Sequence, residues 1–192
     1  MPRMVDHEER RAEVAAAVWR VVSSEGLDAV TVRRVAAETG MSTSVVSHYF
    51  AGKDELLRLA FRLVVDRGRA RAEAEARVAG GGRARALLAT GLPLDAARRT
   101  EARIWFSFLG LALTRPDLAA DQRAAYRAWR GAVAAALRVE GLRAGLDAEA
   151  EAAALIALVD GLAVQAAFEP RRLPPARQLA LLDERLAALG VD

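Results

Sequence analysis

Residues Val30 to Leu57 read VTVRRVAAETGMSTSVVSHYFAGKDELL. Thr31 is placed to N-cap a short helix whose apolar side is Val32, Val35 and Ala36. Gly40 lets the chain turn sharply, and Ser42 caps the next helix, with Val45, Val46, Tyr49 and Phe50 to bury. Upstream, residues 8 to 24 place Val14, Val18, Val21 and Val22 at helical spacing, and Gly26 is a stop. Two short helices joined by a glycine turn and braced by a longer one match a helix-turn-helix. The alternative is an ordinary αα-hairpin. Polarity argues against it: the outward positions Thr43, Ser44, Ser47 and His48 carry no carboxylate and no long cation. A solvated face has no reason to avoid charge. A face that enters the major groove does, because carboxylates repel phosphates and small polar groups permit close approach.

Downstream, Lys53 opens a long helix to about residue 78, with Leu56, Leu57, Ala60, Phe61 and Val64 inward. Gly80-Gly81-Gly82 is the clearest break in the chain. Helices are then expected at about 83–91, 95–114, 116–140, 147–168 and 175–189, with Asp95, Pro116, Asp147 and Pro174-Pro175 at their starts. The expectation is an all-α chain of about nine helices. A helix-turn-helix head, 1–52, precedes a helical body, 53–192.

Composition excludes several function classes. Hydrophobic residues make up 53% of 192, enough for a buried core. There is no cysteine, so disulfides, thiolate metal sites and cysteine nucleophiles are ruled out. The start, MPRMVDHEERRAEV, is charged at once and lacks a signal-peptide apolar region. The longest uncharged apolar run, Ile104 to Thr114, has eleven residues, against about 20 for a membrane span. A soluble cytoplasmic protein without a membrane partner is expected. No metal-ligand motif, phosphate loop or nucleophile elbow is present, and both histidines lie in the head. Neither an enzyme nor a cofactor is expected. The first 60 residues hold eight basic side chains against nine acidic ones, so bulk positive charge is not what would draw this head to DNA.

The segment from Val30 to Leu57 resembles the TetR family of bacterial one-component regulators: helix two, glycine turn, recognition helix, a Tyr-Phe ending, then Lys-Asp-Glu-Leu-Leu. SHYF with this flank, and ALVDGLAVQ from Ala157 to Gln165, are most similar to the BetI branch, whose better-known members respond to choline. The resemblance implies a homodimer on a palindromic double-stranded operator. It also implies a body that binds a small-molecule effector and releases DNA when occupied.

On that resemblance, Thr31, Arg33 and Arg34 approach the phosphate backbone, where free helix N–H groups and arginine suit an anion. Lys53 matches the family's phosphate-clamping lysine. Ser42, Thr43, Ser44, Ser47, His48 and Tyr49 form the DNA-facing set, with hydroxyls that donate or accept. The chain departs from the family's common pattern at Thr43, often a larger residue, and at Ser47, often tyrosine. Asp54 and Glu55 read as partners of the helix dipole.

In the body, Phe61, Trp105, Phe106, Phe108, Tyr126 and Trp129 are candidate ligand contacts. For any one of them, plain core packing is an equal reading. Asp160 interrupts an apolar helix and has three readings: partner of a cationic ligand, partner of an arginine across a dimer, or a carboxylate at the edge of the apolar face. The stripes Leu155, Leu158, Val159, Leu162, Ala166 and Leu179, Leu182, Leu186 suit a four-helix dimer interface, with Gly161 allowing close approach; the competing reading is the protomer's own core. The leading function is a ligand-released transcriptional repressor. The alternative is a helical interaction module of the same fold without specific DNA binding.

Overall fold

The computed structural model describes residues 2–79 and 82–191, with side chains described over 8–77 and 82–191. Gly80 and Gly81 of the expected break, and the side chain of His7, lie outside the described residues. Nine α-helices and no strand occur among the described residues. They are α1 (Pro2–Glu25), α2 (Val32–Thr39), α3 (Thr43–Tyr49), α4 (Lys53–Ala79), α5 (Arg83–Ala89), α6 (Ala96–Ala112), α7 (Pro116–Val139), α8 (Ala148–Phe168) and α9 (Pro175–Ala188). The boundaries follow the caps and prolines of the sequence closely. The one large difference is α1, which reaches back to Pro2 rather than starting near residue 8. Proline suits a first helical position because its missing N–H has no intrahelical partner there.

The chain divides into two compact units, Met1–Val65 with Arg103–Ala119, and Asp66–Ala102 with Ala120–Asp192. The sequence boundary between 52 and 53 falls at the first residue of α4.

The first unit is built on α1. Val14, Ala17, Val18, Val21 and Val22 are buried, as are Val30, Val35, Val46, Phe50, Leu56 and Leu57. A short 3₁₀ turn, Leu27–Ala29, joins α1 to α2. In the second unit, Leu87 and Leu88 of α5, Leu92 just after it, Leu155 and Val159 of α8 and Leu182 of α9 belong to one cluster with Val133 and Leu137 of α7. By length and composition α8 could cross a membrane, but eight of its residues are buried, which marks it as a core helix.

Packing in this second unit is close enough to dictate a glycine. A Cβ at Gly91 would lie 2.6 Å from Val159 Cγ1 and 2.9 Å from Trp129 Cη2. Both neighbours are fixed by the core: Val159 is fully buried, and the Trp129 indole N–H donates to the Leu87 carbonyl at 3.1 Å. Gly91→Ala is therefore expected to destabilise the protein by about 1–3 kcal/mol through overpacking. Urea unfolding measures this, with the denaturant slope unchanged.

Candidate nucleic-acid interface and body

The recognition segment is set by local chemistry. Thr31 Oγ1 accepts from the Arg34 N–H at 3.1 Å and starts α2. Gly40, at φ +72, ends it in the left-handed region. Ser42 Oγ accepts from the Val45 N–H at 3.3 Å and starts α3. Val46 and Phe50, four residues apart, are buried, so Ser44 and His48 point the other way, with Ser47 on one flank and Val45 on the other. Thr43, Ser44, Ser47 and His48 are exposed, as is Ser42. Tyr49 is half-buried, its ring edge-on to His48 at 5.2 Å. Val45 departs from the inward position expected for it and is 39% exposed. At 100° per residue a seven-residue helix has room for only one buried stripe, and Val46 and Phe50 occupy it.

The nearby cations divide into two kinds. Arg33 and Lys53 are exposed, and Lys53 Nζ lies 3.4 Å from the Asp28 carbonyl oxygen. Arg34 instead turns back between two carboxylates, 2.7 Å from Glu25 and 2.9 Å from Glu38. Arg20 meets Glu38 from α1 at 2.7 Å. Hydrogen bonds donated to Glu25 and then to Glu38 hold the Arg34 pKa above its ordinary value, while those Glu38 accepts from Arg20 first and Arg34 second hold its carboxyl below its own. The Arg34–Glu38 spacing is legible on a helix; the reach of Arg20 across to α2 is not.

The start of α4 is tied down twice. Glu55 accepts the Ala51 N–H at 2.6 Å, satisfying a donor just before the helix. Asp54 is gripped by both terminal nitrogens of Arg115, one at 2.9 Å. Asp117 joins them, 3.4 Å from Arg115 and 2.8 Å from Arg58. The Arg115 hydrogen bond is the main reason the Asp54 carboxyl sits below the usual carboxylate range. Asp54 thus has a specific partner beyond the helix dipole. That partner was invisible in the sequence, because 61 residues separate the pair.

The candidate ligand contacts fall into two groups. Phe61 stacks on Phe108 at 4.1 Å and on Trp105 at 5.3 Å within the first unit. Phe61 and Phe108 are buried, while Trp105 and Phe106 are half-buried. Tyr126 and Trp129 belong to the second unit, where the Tyr126 hydroxyl donates to Asp160 at 2.7 Å.

Six of the candidate dimer residues, Leu155, Val159, Leu162, Ala166, Leu182 and Leu186, are buried in the cluster of their own unit, and Leu158 and Leu179 pack against it. The opposite face of α8 is also apolar. Ala150, Ala154 and Ala157 are exposed there, Val164 is 39% exposed and Phe168 is 84% exposed. Gly161 shares this face, and a Cβ there would meet nothing within 4 Å.

Asp160 has an electrostatic signature that can be measured. Burial pushes its carboxyl above the ordinary value, and the Tyr126 hydrogen bond opposes this without cancelling it. Between the ordinary and the raised value the folded protein binds more protons than the unfolded chain. Stability therefore falls as pH rises through that window. Asp160→Asn, which keeps an acceptor for Tyr126, is expected to be more stable than wild type at pH 7. The difference should shrink toward pH 4, and urea unfolding at both values reads it.

Comparison with known proteins agrees with this geometry. Residues 14–60 match the bacterial regulatory proteins of the tetR family, and residues 81–191 match the BetI-type transcriptional repressor C-terminal domain. The regulator PksA of Bacillus subtilis (strain 168) is 30% identical over 195 residues, covering 100% of this chain and 95% of that protein. BetI 1 of Chromohalobacter salexigens is 31% identical over 200 residues, covering 97% and 95%. A transcriptional regulator from Rhodococcus sp. Rha1 superposes with a TM-score of 0.77 at 38% identity, covering 94% of this chain and 97% of that one. A regulator from Saccharomonospora viridis, solved in complex with choline, superposes at 0.80 with 24% identity, covering 94% and 96%, and so bears on fold alone. A helix-turn-helix head, a helical body and two family matches that together span most of the sequence make one statement: the chain belongs to the TetR family of transcriptional regulators, with a BetI-type C-terminal domain.

Proposed function

We propose that this regulator is a cytoplasmic, effector-released repressor that binds a palindromic operator as a homodimer. The observation that carries the reading is the outward face of α3. Ser44, Ser47 and His48 are exposed and hydrogen-bonding, with Thr43 beside them and no carboxylate among them. Lys53 and Arg33 are exposed nearby in sequence and supply the phosphate anchors, together with the N-terminal end of α2 at Thr31 and the hydroxyls of Ser42 and Tyr49. Arg34 has a different role: held by Glu25 and Glu38, it fixes α2 against the end of α1 and leaves the phosphate to Arg33. A two-fold dimer would set its two α3 helices in successive major grooves, about 34 to 36 Å apart.

The second copy is best accommodated on the outer face of α8. A helix apolar on both sides has only one side covered within the protomer. Glycine in a helix interior costs about 1 kcal/mol relative to alanine. Gly161 has no neighbour in its own protomer that requires this, which supports close approach by a second helix. For the effector, Asp160 favours an organic cation: the carboxylate has only the Tyr126 hydroxyl as a partner among the described residues, and Trp129 lies one turn along α7 from that tyrosine. An effector of this kind would act by favouring a body conformation in which the α3 spacing no longer fits.

The DNA reading is tested by selecting duplexes from a random library and following fluorescence anisotropy across a salt series. Lys53→Ala is expected to weaken binding to every selected duplex and to lower the salt slope by about one for each protomer. Failure to enrich any duplex above a scrambled control at low salt would overturn the reading in favour of a helical interaction module. Ala157→Arg is expected to leave the fold intact, since Ala157 is exposed, yet to yield a monomer in sedimentation. Affinity for a two-half-site duplex should then fall by about a hundredfold. A dimer that survives this substitution would place the interface elsewhere.

A further inference from the structure

The recognition helix carries one side chain that neither hydrogen bonding nor core packing explains. Val45, the third residue of α3, is 39% exposed, the one large hydrophobic side chain left exposed in α1 to α3 among the described residues. The core does not need it, because Val46 and Phe50 already fill the buried stripe. Helix stability does not favour it, because β-branched residues are poorer helix formers than Ala, Glu or Lys, and α3 has only seven residues. Its neighbours on the outward face, Ser44, Ser47 and His48, are all exposed and all hydrogen-bonding. Val45 forms the apolar rim of that polar face, one helical turn before His48 and Tyr49.

The major groove offers one apolar feature among its base edges, the C5 methyl of thymine. We propose that Val45 is a specificity-determining contact that packs its methyl groups on a thymine C5 methyl in each half-site. The inference rests on the DNA-binding reading above and adds what that reading lacks, a preference for one base. The side chain suits the task. Valine holds one strongly preferred χ1 rotamer in a helix, so its methyls are presented in a fixed place and little freedom is lost on contact. The hydrogen-bonding neighbours cannot replace it, since they read donors and acceptors, and uracil offers the same ones as thymine. Val45 therefore distinguishes two bases that Ser44, Ser47 and His48 cannot.

The experiment is a thymine-to-uracil scan of a duplex selected from the random library, read by anisotropy with wild type and with Val45→Ser. For wild type, one thymine position in each half-site is expected to lose about fourfold in affinity on conversion to uracil, the equivalent of one buried methyl group, and about fifteenfold when both half-sites are converted. Val45→Ser should bind thymine and uracil duplexes equally at that position, with its thermal unfolding close to wild type because the site is exposed. Coupling between the two substitutions is the supporting result, since a merely structural role for Val45 would lower affinity for both duplexes alike. A flat scan in wild type overturns the proposal, as does uracil sensitivity that persists unchanged in Val45→Ser, or a selected half-site without an A·T pair. These outcomes differ from failure of the DNA reading, in which no duplex is enriched.

Discussion

The orientation of α3 depends on the burial of Val46 and Phe50. Each is essentially inaccessible, at 0% and 1% exposure, and burying side chains of this size is worth about 1.5–3 kcal/mol apiece. That is about twice the net worth of a typical single hydrogen bond. The core therefore sets the helix rotation, and the rotation sets which side chains face outward. Ser44 and His48 are presented because they lie opposite Val46, and Val45 is left on the rim for the same reason. The Arg11 guanidinium, 5.0 Å from the Phe50 ring centroid and 3.4 Å from the Tyr49 carbonyl, adds a latch from α1.

Charge in this head serves orientation more than attraction. Arg20, Glu25, Arg34 and Glu38 join α1 to α2, and Asp54, Arg58, Arg115 and Asp117 hold the first turn of α4 against the start of α7. These side chains are partly solvated, so each pair adds little stability alone. As networks they restrict how α2 and α4 can shift. Lys53 immediately precedes Asp54, so the phosphate-anchoring candidate stands beside an ion-paired residue of the first turn. A near-neutral head is consistent with this: several of its charges pair with one another, and Lys53 and Arg33 remain exposed.

The same logic separates the two faces of α8. Leucines and valines at Leu155, Val159 and Leu162 fill the protomer's own core, where volume is needed. Ala150, Ala154, Ala157 and Gly161 line the other face together with Val164 and Phe168. Both faces are apolar, and both mix large residues with small ones: Ala152, Ala163 and Ala166 are buried, while Val164 and Phe168 are exposed.

Helix number and boundaries were legible in the sequence because caps, glycines and prolines act locally: Thr31, Ser42 and Asp147 each accept from the first turn of the helix they open. The outward polarity of α3 was legible for the same reason, since helical periodicity alone ranks its positions. Three things were not. Val45 reads as inward because periodicity cannot say which of two adjacent valines the core prefers. The approach of Glu25 to Arg34, from another helix, is not legible either. The leucine stripes of α8 and α9 suit a dimer seam or the protomer's own core, and spacing alone does not show that they join the cluster of their own unit. Sequence determined the elements, the uncharged recognition face and the family resemblance, all of which rest on residues near one another in the chain. Tertiary structure decided which face of each helix is buried and which charges are already paired, because burial and long-range pairing depend on neighbours that the order of residues does not reveal.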